Sequence, residues 1–309
     1  MVSAARAPRL GPLLTAMITP FGPGGSVDLA EAKRVARYLV DEGNTGLVVS
    51  GTTGESPALD DAEKLALFAA CKDAVGDRAA IVAGTGGNNT RHSVELTERA
   101  AAAGADAILA VVPYYNKPTQ DGMLLHFGAI ARATTLPVVV YNIPSRTGAN
   151  MSPATLLELA ARHPNLAGVK ESSGDLAQMS AILRDRPAGF GFWVGDDHLL
   201  LPSLALGGDG LISVAAHLCA REYRELGRAF ARGDVARASA LHLALSPLVA
   251  ALFATTSPIP VKWAMRELGF PVGECRSPLG AMPEDLAARL RPMLVPYRER
   301  AQAILAAAR

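Results

Sequence analysis

Residues 166–174 read Leu-Ala-Gly-Val-Lys-Glu-Ser-Ser-Gly, and the rest of the chain can be interpreted outward from them. The first five predict a short buried strand that ends at Lys170, and the small polar residues after it are typical of a strand-to-helix turn. Because side chains alternate along a strand, we expect Leu166, Gly168 and Lys170 to share one face. Ligands of α/β proteins bind at the C-terminal ends of such strands. Lys170 is therefore a candidate nucleophile, although a single lysine is more often simply solvated.

The same pattern of strand, loop and helix recurs on both sides of this stretch. Each short apolar segment is followed by a loop of Gly, Pro, Ser, Thr or Asn and then by a helical segment. The predicted strands are residues 13–19, 46–50, 79–83, 107–112, 137–141, 166–170, 190–194 and 210–214. This alternation predicts a parallel sheet, and eight units close a (β/α)8 or TIM barrel. A doubly wound open sheet is disfavoured, because its strand ends would scatter the chemically distinctive residues along an edge.

The alternation stops near residue 221, and the remaining segments are predicted to be helical. They are rich in Ala, Leu and Arg and cover residues 221–231, 234–253, 260–268 and 283–308. We therefore expect a loose N-terminal tail over residues 1–10, an α/β barrel over 11–220 and a C-terminal helical appendage over 221–309. Lys262 follows a pair of prolines at a helix start and is interpreted as structural.

Composition and charge argue against several classes of protein. The 309 residues include 30 Lys and Arg against 29 Asp and Glu, so the formal net charge is +1. We expect neither a nucleic-acid-binding surface nor a polybasic membrane patch. Residues 1–9 lack the apolar run of a signal peptide, and later apolar runs are interrupted before they could span a bilayer. Three widely spaced cysteines indicate reduced thiols in a cytoplasmic protein.

Side chains at other predicted strand ends could build a site around Lys170. Thr52 and Thr53 lie in a glycine-flanked turn that could hold a small carboxylate. Tyr141 is in phase with the inner residues of its strand and could relay protons, and Arg146 could bind a carboxylate. Alone, each is an ordinary turn, packing or surface residue. Together they equip the chain for a Schiff base between Lys170 and a 2-keto acid, which then becomes an enamine that attacks an aldehyde without a metal.

Three further motifs carry weaker signals. Tyr114 and Tyr115 follow a predicted strand, where paired tyrosines more often pack than react. Residues 84–89 resemble a phosphate-binding loop, but Asn89 replaces its last glycine, so a nucleotide site is not expected. Residues 196–198, Asp-Asp-His, have no second cluster with the spacing of metal ligands. We therefore expect no metal and no nucleotide cofactor.

Four motifs in order resemble the dihydrodipicolinate synthase family, the 4-hydroxy-tetrahydrodipicolinate synthases. They are residues 51–56 (GTTGES), 113–118 (PYYNKP), 141–148 (YNIPSRTG) and 168–173 (GVKESS), and the likeness extends to residues 258–263 (PIPVKW). The resemblance implies a lyase of the class I aldolase type that condenses pyruvate with L-aspartate 4-semialdehyde on the route to diaminopimelate and lysine. It also implies a cytoplasmic enzyme without a cofactor, usually a homotetramer built as a dimer of dimers.

The resemblance further implies a role for each matching residue. Lys170 would form the Schiff base. Tyr141, Thr52 and Tyr115 would relay protons, with Tyr115 reaching into the neighbouring subunit's site. Arg146 would hold the carboxylate of the semialdehyde. The pyruvate pocket would be lined by Thr53, Gly195 and Ile212.

The chain departs from the family at the site where many members bind lysine as a feedback inhibitor. Asn88 and Tyr114 match that site. Two expected histidines are instead Asp61 and Lys64, and an expected glutamate is His92. The inhibitor's ammonium thus loses its acidic partner and meets a like charge. We expect weak or absent inhibition by lysine.

Two other functions remain open from the sequence. One is a relative on the same fold that cleaves sugar acids, such as an N-acetylneuraminate lyase or a 2-keto-3-deoxy acid aldolase, which uses the same lysine and tyrosine. Arg146 favours a short second substrate with a carboxylate, and so favours the synthase. The other is a non-catalytic barrel that binds keto acids. The relay tyrosines argue against it, because binding alone requires no proton transfer.

Overall fold

The computed structural model describes residues 10–307, and its centre is a closed barrel of eight parallel strands. The strands follow one another around the barrel in chain order, and the first pairs with the last to close it. They are β1 (Leu13–Ala16), β2 (Gly46–Val49), β3 (Ala80–Gly84), β4 (Ala107–Val111), β5 (Val138–Asn142), β6 (Leu166–Glu171), β7 (Gly191–Val194) and β8 (Gly210–Ser213). The predicted (β/α)8 barrel is confirmed, and the disfavoured alternative of a doubly wound open sheet is excluded.

Helices connect the strands and cover the outside of the barrel. They are α1 (Leu29–Asp41), α2 (Asp61–Val75), α3 (Thr90–Ala102), α4 (Gln120–Arg132), α5 (Pro144–Thr147), α6 (Pro153–Arg162), α7 (Leu176–Asp185) and α8 (Leu200–Ala205). Side chains that accept hydrogen bonds from the first turn fix several of these starts. Asp60 and Glu63, for example, form a capping box at α2. The short helix α5 was not predicted, since four residues are too few to show a helical period.

The barrel strands alternate between an inner core and a core under the helices, and this alternation slips once in β6. Val138 pairs with Leu166, whereas Val139 pairs with Gly168, so Ala167 is an extra residue in the strand. Leu166 consequently lies in the core under the helices. The expectation that Leu166 shares the face of Lys170 is therefore wrong.

Five helices follow the barrel. They are α9 (Ala216–Ala231), α10 (Val235–Leu252), α11 (Ile259–Glu267), α12 (Glu284–Leu290) and α13 (Val295–Ala307). The single helix predicted over residues 283–308 is wrong, because a 3-10 turn at Arg291–Leu294 separates α12 from α13. Pro292 in that turn cannot donate a helical hydrogen bond. Of the predicted N-terminal tail, Leu10 is buried in the inner core, and residues 1–9 lie outside the described residues.

Helix α10 differs from the expectation that every apolar run is interrupted. Within the described chain it is the one helix that is long and apolar enough to cross a membrane, with a mean hydropathy of 1.5. Pro247 lies inside it without ending it. The helix packs on α9 and α12, yet only 28% of it is buried in the chain. It therefore presents an exposed apolar face, with Leu243 68% exposed.

Candidate active site

Lys170 lies at the C-terminal end of the barrel and points into it. In β6 it pairs with Tyr141 of β5 on one side and with Trp193 of β7 on the other. The side chain is only 5% exposed. Its Nζ lies 4.2 Å from the centroid of the Tyr141 ring. The structure thus brings the predicted amine and the predicted tyrosine together, away from bulk solvent.

Gly195 lies where the end of Lys170 needs space, and Ile212 lies in the inner core of the barrel. A Cβ placed on Gly195, which directly follows β7, would overlap Ser172 Oγ and lie 2.7 Å from Lys170 Cε. Any side chain at this position would push the lysine aside. Ile212 of β8 packs in the inner core together with Tyr141.

A cavity at the mouth of the barrel collects residues from several strand ends. Its lining includes Thr52 after β2, Tyr114 after β4, Tyr141 at the end of β5 and Arg146 in α5. Thr53 is buried beside Thr52. Because Lys170 contacts the ring of Tyr141, the amine and the cavity adjoin at this residue. Hydroxyl, phenol, guanidinium and amine groups therefore meet at one mouth, as the (β/α)8 topology requires.

The turn after β2 has an unusual backbone. Ser50 and Glu55 both have φ of +56°, in the left-handed region that residues with a Cβ seldom adopt. Two hydrogen bonds close the turn, from the N–H of Glu55 to the carbonyl of Thr52 and from the N–H of Ser56 to the carbonyl of Gly51. Such conformations persist where the surroundings hold them, and they are common at ligand sites.

A buried ion pair holds this turn from behind. Lys262 Nζ of α11 lies 2.6 Å from Glu55 Oε1, and each side chain is 1% exposed. The second carboxylate oxygen of Glu55 accepts a hydrogen bond from the backbone N–H of Arg276 at 2.8 Å. The ammonium end of Lys262 lies over the ring of Phe21. Burial lowers the pKa of Lys262, and Glu55 opposes that shift. Sequence reasoning missed the pair because its members are 207 residues apart.

Arg146 is exposed at the mouth and touches the C-terminal part of the chain. Its Nη2 lies 3.4 Å from the carbonyl oxygen of Ser257, just before α11. The C-terminal helices thus border the mouth at two places, beside Arg146 and behind the Glu55 turn. The planar guanidinium can still bind a carboxylate through two parallel hydrogen bonds.

Glu171 anchors the strand end that carries Lys170. Its carboxylate accepts hydrogen bonds from Ser173 N–H at 2.7 Å, from Asn142 Nδ2 at 3.1 Å and from Gln178 Nε2 at 3.3 Å. Burial raises the pKa of Glu171, and these hydrogen bonds oppose that shift. The network fixes the ends of β5 and β6 and thereby the spacing between Lys170 and Tyr141. Beyond an acid next to the lysine, no sequence pattern indicated this network.

Tyr115 lies apart from this chain's own cavity. It is 89% exposed, and its φ of +72° turns the loop after β4 outward. Asn88 is half-buried, and its carbonyl accepts a hydrogen bond from Asn116 at 2.9 Å, which joins the loops after β3 and β4.

The residues that depart from the family pattern at the lysine site form contacts of their own. Asp61 is 2.9 Å from His92 Nε2 and 3.0 Å from Arg99 Nη1. Lys64 lies nearby on α2 and is buried, and burial lowers the pKa of its ammonium. The carboxylate of Asp61 is therefore already engaged within the chain.

The middle residue of the Asp-Asp-His segment after β7 serves the fold. Asp197 is fully buried and accepts hydrogen bonds from Ser213 Oγ and from the N–H groups of Val214 and Ala215. It thus holds the loop after β8. In residues 10–307 no three His, Cys, Asp or Glu side chains gather in a way that could hold a metal ion.

Comparisons with known proteins agree on one family. The chain matches the model of the dihydrodipicolinate synthetase family over residues 9–295. It is 56% identical over 276 residues to the 4-hydroxy-tetrahydrodipicolinate synthase of Moorella thermoacetica, covering 89% of this chain and 94% of that protein. To the synthase of the same name from Symbiobacterium thermophilum it is 50% identical over 287 residues, covering 93% and 98%.

Solved structures give the same picture. The dihydrodipicolinate synthase from Cyanidioschyzon merolae, solved with lysine bound, superposes with a TM-score of 0.92 at 41% identity over 93% of this chain and 98% of that one. A variant described as the first monomeric dihydrodipicolinate synthase superposes with a TM-score of 0.90 at 36% identity, covering 93% and 96%.

Proposed function

This chain belongs to the dihydrodipicolinate synthetase family, and from that premise we propose which of its residues carry out the reaction. The enzyme is a lyase of the class I aldolase type that condenses pyruvate with L-aspartate 4-semialdehyde to give 4-hydroxy-tetrahydrodipicolinate, on the route to diaminopimelate and lysine. One observation supports the assignment above the others. Lys170 is a buried lysine at the barrel mouth, with its Nζ 4.2 Å from the centroid of the Tyr141 ring.

The first half of the reaction forms the Schiff base on Lys170. The neutral Nζ attacks C2 of pyruvate, a C–N bond forms, and the carbonyl electron pair moves to oxygen, which takes up a proton. That hydroxyl takes up a second proton and leaves as water, the nitrogen gives up its protons, and an imine remains. Tyr141 lies against the amine and carries protons together with Thr52 and the partner subunit's Tyr115. The turn that contains Thr53 holds the pyruvate carboxylate.

The second half joins two carbons and releases the enzyme. The imine draws electrons from the methyl carbon, which loses a proton and becomes the nucleophilic end of an enamine. This carbon attacks the aldehyde carbon, whose oxygen takes up a proton. The amino group of the bound semialdehyde then adds to the imine carbon and expels Lys170 Nζ, which closes the ring. Arg146 holds the semialdehyde carboxylate during these steps.

Borohydride trapping with pyruvate tests the nucleophile. We expect one peptide, the one that contains Lys170, to gain the mass of a reduced pyruvate unit. Lys262 is the matched control, because it is another buried lysine near the mouth. Modification of a different lysine, or of none, would contradict the assignment.

A Tyr141→Phe variant separates catalysis from simple binding of keto acids. The pyruvate adduct should still form on Lys170, whereas turnover should fall roughly 10²- to 10⁴-fold, because the proton carrier is lost. Unchanged turnover would remove Tyr141 from the relay.

An Arg146→Ala variant tests the second substrate. We expect a higher KM for L-aspartate 4-semialdehyde and unchanged trapping of pyruvate. With N-acetylneuraminate as the only substrate, the unsubstituted enzyme should form no pyruvate. Formation of pyruvate from this sugar acid would instead favour the alternative function, an aldolase that cleaves sugar acids.

We propose a cytoplasmic homotetramer built as a dimer of dimers, with a barrel over residues 11–220 for catalysis and the helices of residues 221–309 for support. Two separate exposed regions support two kinds of interface. One is the loop after β4 with Tyr115, and the other is the outer face of α10 with Leu243. In sedimentation experiments Leu243→Glu should split tetramers into dimers. Val295→Glu, on an exposed residue of α13, is the control that should leave tetramers intact.

A further inference from the structure

We propose that Ser172 is a further binding residue of this active site, whose hydroxyl forms a hydrogen bond with an oxygen atom of the 2-keto-acid adduct on Lys170. The inference rests on the proposed Schiff-base role of that lysine. Every species formed there carries such an oxygen, either the hydroxyl of the first addition product or a carboxylate.

The direction of the Ser172 side chain follows from the strand that precedes it. Ser172 is two residues beyond Lys170, and its N–H donates to the carbonyl of Asn142 at 2.8 Å, so the pairing of β5 with β6 continues past the end of β6. Glu171, between the two, turns the other way to Asn142 and Gln178. Because alternate residues of an extended segment share a face, Ser172 points to the same side as Lys170.

The position of the hydroxyl follows from Gly195. A Cβ on that glycine would overlap Ser172 Oγ and lie 2.7 Å from Lys170 Cε. The hydroxyl and the end of the lysine stem therefore border the same small space, which the glycine leaves free of side-chain atoms.

The hydroxyl is buried and has no hydrogen-bond partner in the described part of the chain. Ser172 is 6% exposed, and no atom of residues 10–307 is in position to form a hydrogen bond with its Oγ. Ser173 is different, since its Oγ accepts the N–H of Asp175 at 3.2 Å. A buried hydroxyl without a partner destabilises the folded chain, so its presence beside a reactive amine is explained if a bound ligand supplies the partner.

Ser172→Ala and a matched control, Ser203→Ala, test the inference together. Ser203 lies in α8 and is also a fully buried serine whose Oγ has no partner within residues 10–307. Both variants should melt at the same temperature as the unsubstituted enzyme or higher, because each loses an unpartnered polar group. Only Ser172→Ala should also lose kcat/KM for pyruvate, by roughly 3- to 10-fold, the equivalent of one neutral hydrogen bond. Borohydride trapping should slow by a similar factor.

The outcomes separate this inference from the function on which it rests. If the unsubstituted enzyme traps pyruvate at Lys170 and Ser172→Ala has unchanged kinetics, the Ser172 inference is wrong and the Schiff-base assignment stands. A lower melting temperature for Ser172→Ala would show that the hydroxyl supports the fold, which also overturns the inference. If the unsubstituted enzyme fails to trap pyruvate at Lys170, the proposed function and the inference fall together.

Discussion

Two glycines shape the surroundings of Lys170, one on its own strand and one directly after the neighbouring strand β7. On Gly168 a Cβ would overlap the carbonyl oxygen of Gly191 and lie 2.7 Å from the Trp193 ring, and on Gly195 it would meet Lys170 itself. Gly195 therefore leaves the space that the end of the lysine occupies, and Gly168 lets the Trp193 ring lie close to β6. Since protein interiors are closely packed, the amine has little freedom to move elsewhere.

Gly195→Ala should displace Lys170 and lower kcat/KM by roughly 100-fold, because a misplacement of about 1 Å is enough for such a loss. Gly227→Ala in α9 is the control, since a Cβ there would meet no heavy atom within 4 Å. The control should keep its activity and gain helix stability. Steady-state kinetics of both variants check this, and equal activities would contradict it.

The site residues that the sequence predicted are those whose chemistry can be interpreted locally. Lys170, Tyr141 and Arg146 follow strands and carry functional groups that suit a keto acid. Ser172 lies in the same motif as Lys170 but gave no signal, because its lack of a hydrogen-bond partner among residues 10–307 depends on the packing around Gly195. The ion pair of Glu55 and Lys262 was missed because its two members lie in distant segments of the chain.

Helix α11 supports the turn after β2 through the ion pair of Lys262 and Glu55. Lys262→Met would leave Glu55 buried without its cationic partner, which should cost about 3–5 kcal/mol of unfolding free energy. The KM for pyruvate should rise as the turn loosens. The double variant with Glu55→Gln should recover much of the lost stability, because no unpaired charge remains. Urea unfolding and kinetics of the three proteins test this, and a double variant no more stable than Lys262→Met would contradict it.

His217 links the segment after β1 with the segment after β8, the two strands that close the barrel. It should make the free energy of unfolding depend on pH. Its Nε2 accepts the N–H of Ile18 at 3.1 Å, and its Nδ1 lies 2.8 Å from the carbonyl of Val214. Burial lowers the pKa of His217 to about 4, whereas the unfolded chain has an ordinary value of about 6.5. At a pH between these two pKa values, the imidazole is protonated in the unfolded state and neutral in the folded state. This histidine's contribution is therefore complete above pH of about 6.5 and is lost as the pH falls towards 4, by about 3 kcal/mol.

A His217→Gln variant isolates this contribution, because glutamine does not titrate and can still accept the hydrogen bond from Ile18. Burial raises the pKa of Asp197 and so acts in the opposite direction, but that effect is common to both proteins. From neutral to acidic pH, the melting temperature should fall less in the variant than in the unsubstituted enzyme. A parallel fall in both would contradict the assignment.

Element boundaries were predictable where a sequence period or a cap marks them, as at α2 with its Asp60 cap. The extra residue Ala167 in β6 was not, because register is set by pairing with β5 rather than by the composition of β6. The break at Arg291–Leu294 was also missed, although Pro292 is a local signal that could have located it.

The molecule as a whole was predictable because eight similar units repeat, and such repetition leaves little choice but a closed barrel. Its assembly was not, since an exposed apolar face such as that of α10 becomes visible only once the chain is folded. The same limit applies to regulation, which depends on surfaces that several helices build together.

Inhibition by lysine is the prediction that concerns these surfaces. In this chain Asp61 is engaged by His92 and Arg99, and the buried ammonium of Lys64 lies nearby. We expect turnover to be unchanged by millimolar lysine. A variant with Asp61→His, Lys64→His and His92→Glu together should gain sensitivity, and a clear inhibition curve for the unsubstituted enzyme would contradict the prediction.

The outward projection of Tyr115 has a genetic consequence. Since we assign this tyrosine to the neighbour's reaction, each working centre draws on two polypeptides. Chains carrying Lys170→Ala and chains carrying Tyr115→Phe would each be defective alone. Co-expressed, they should form mixed pairs in which one of the two centres is intact, so that two damaged alleles together restore growth without added diaminopimelate.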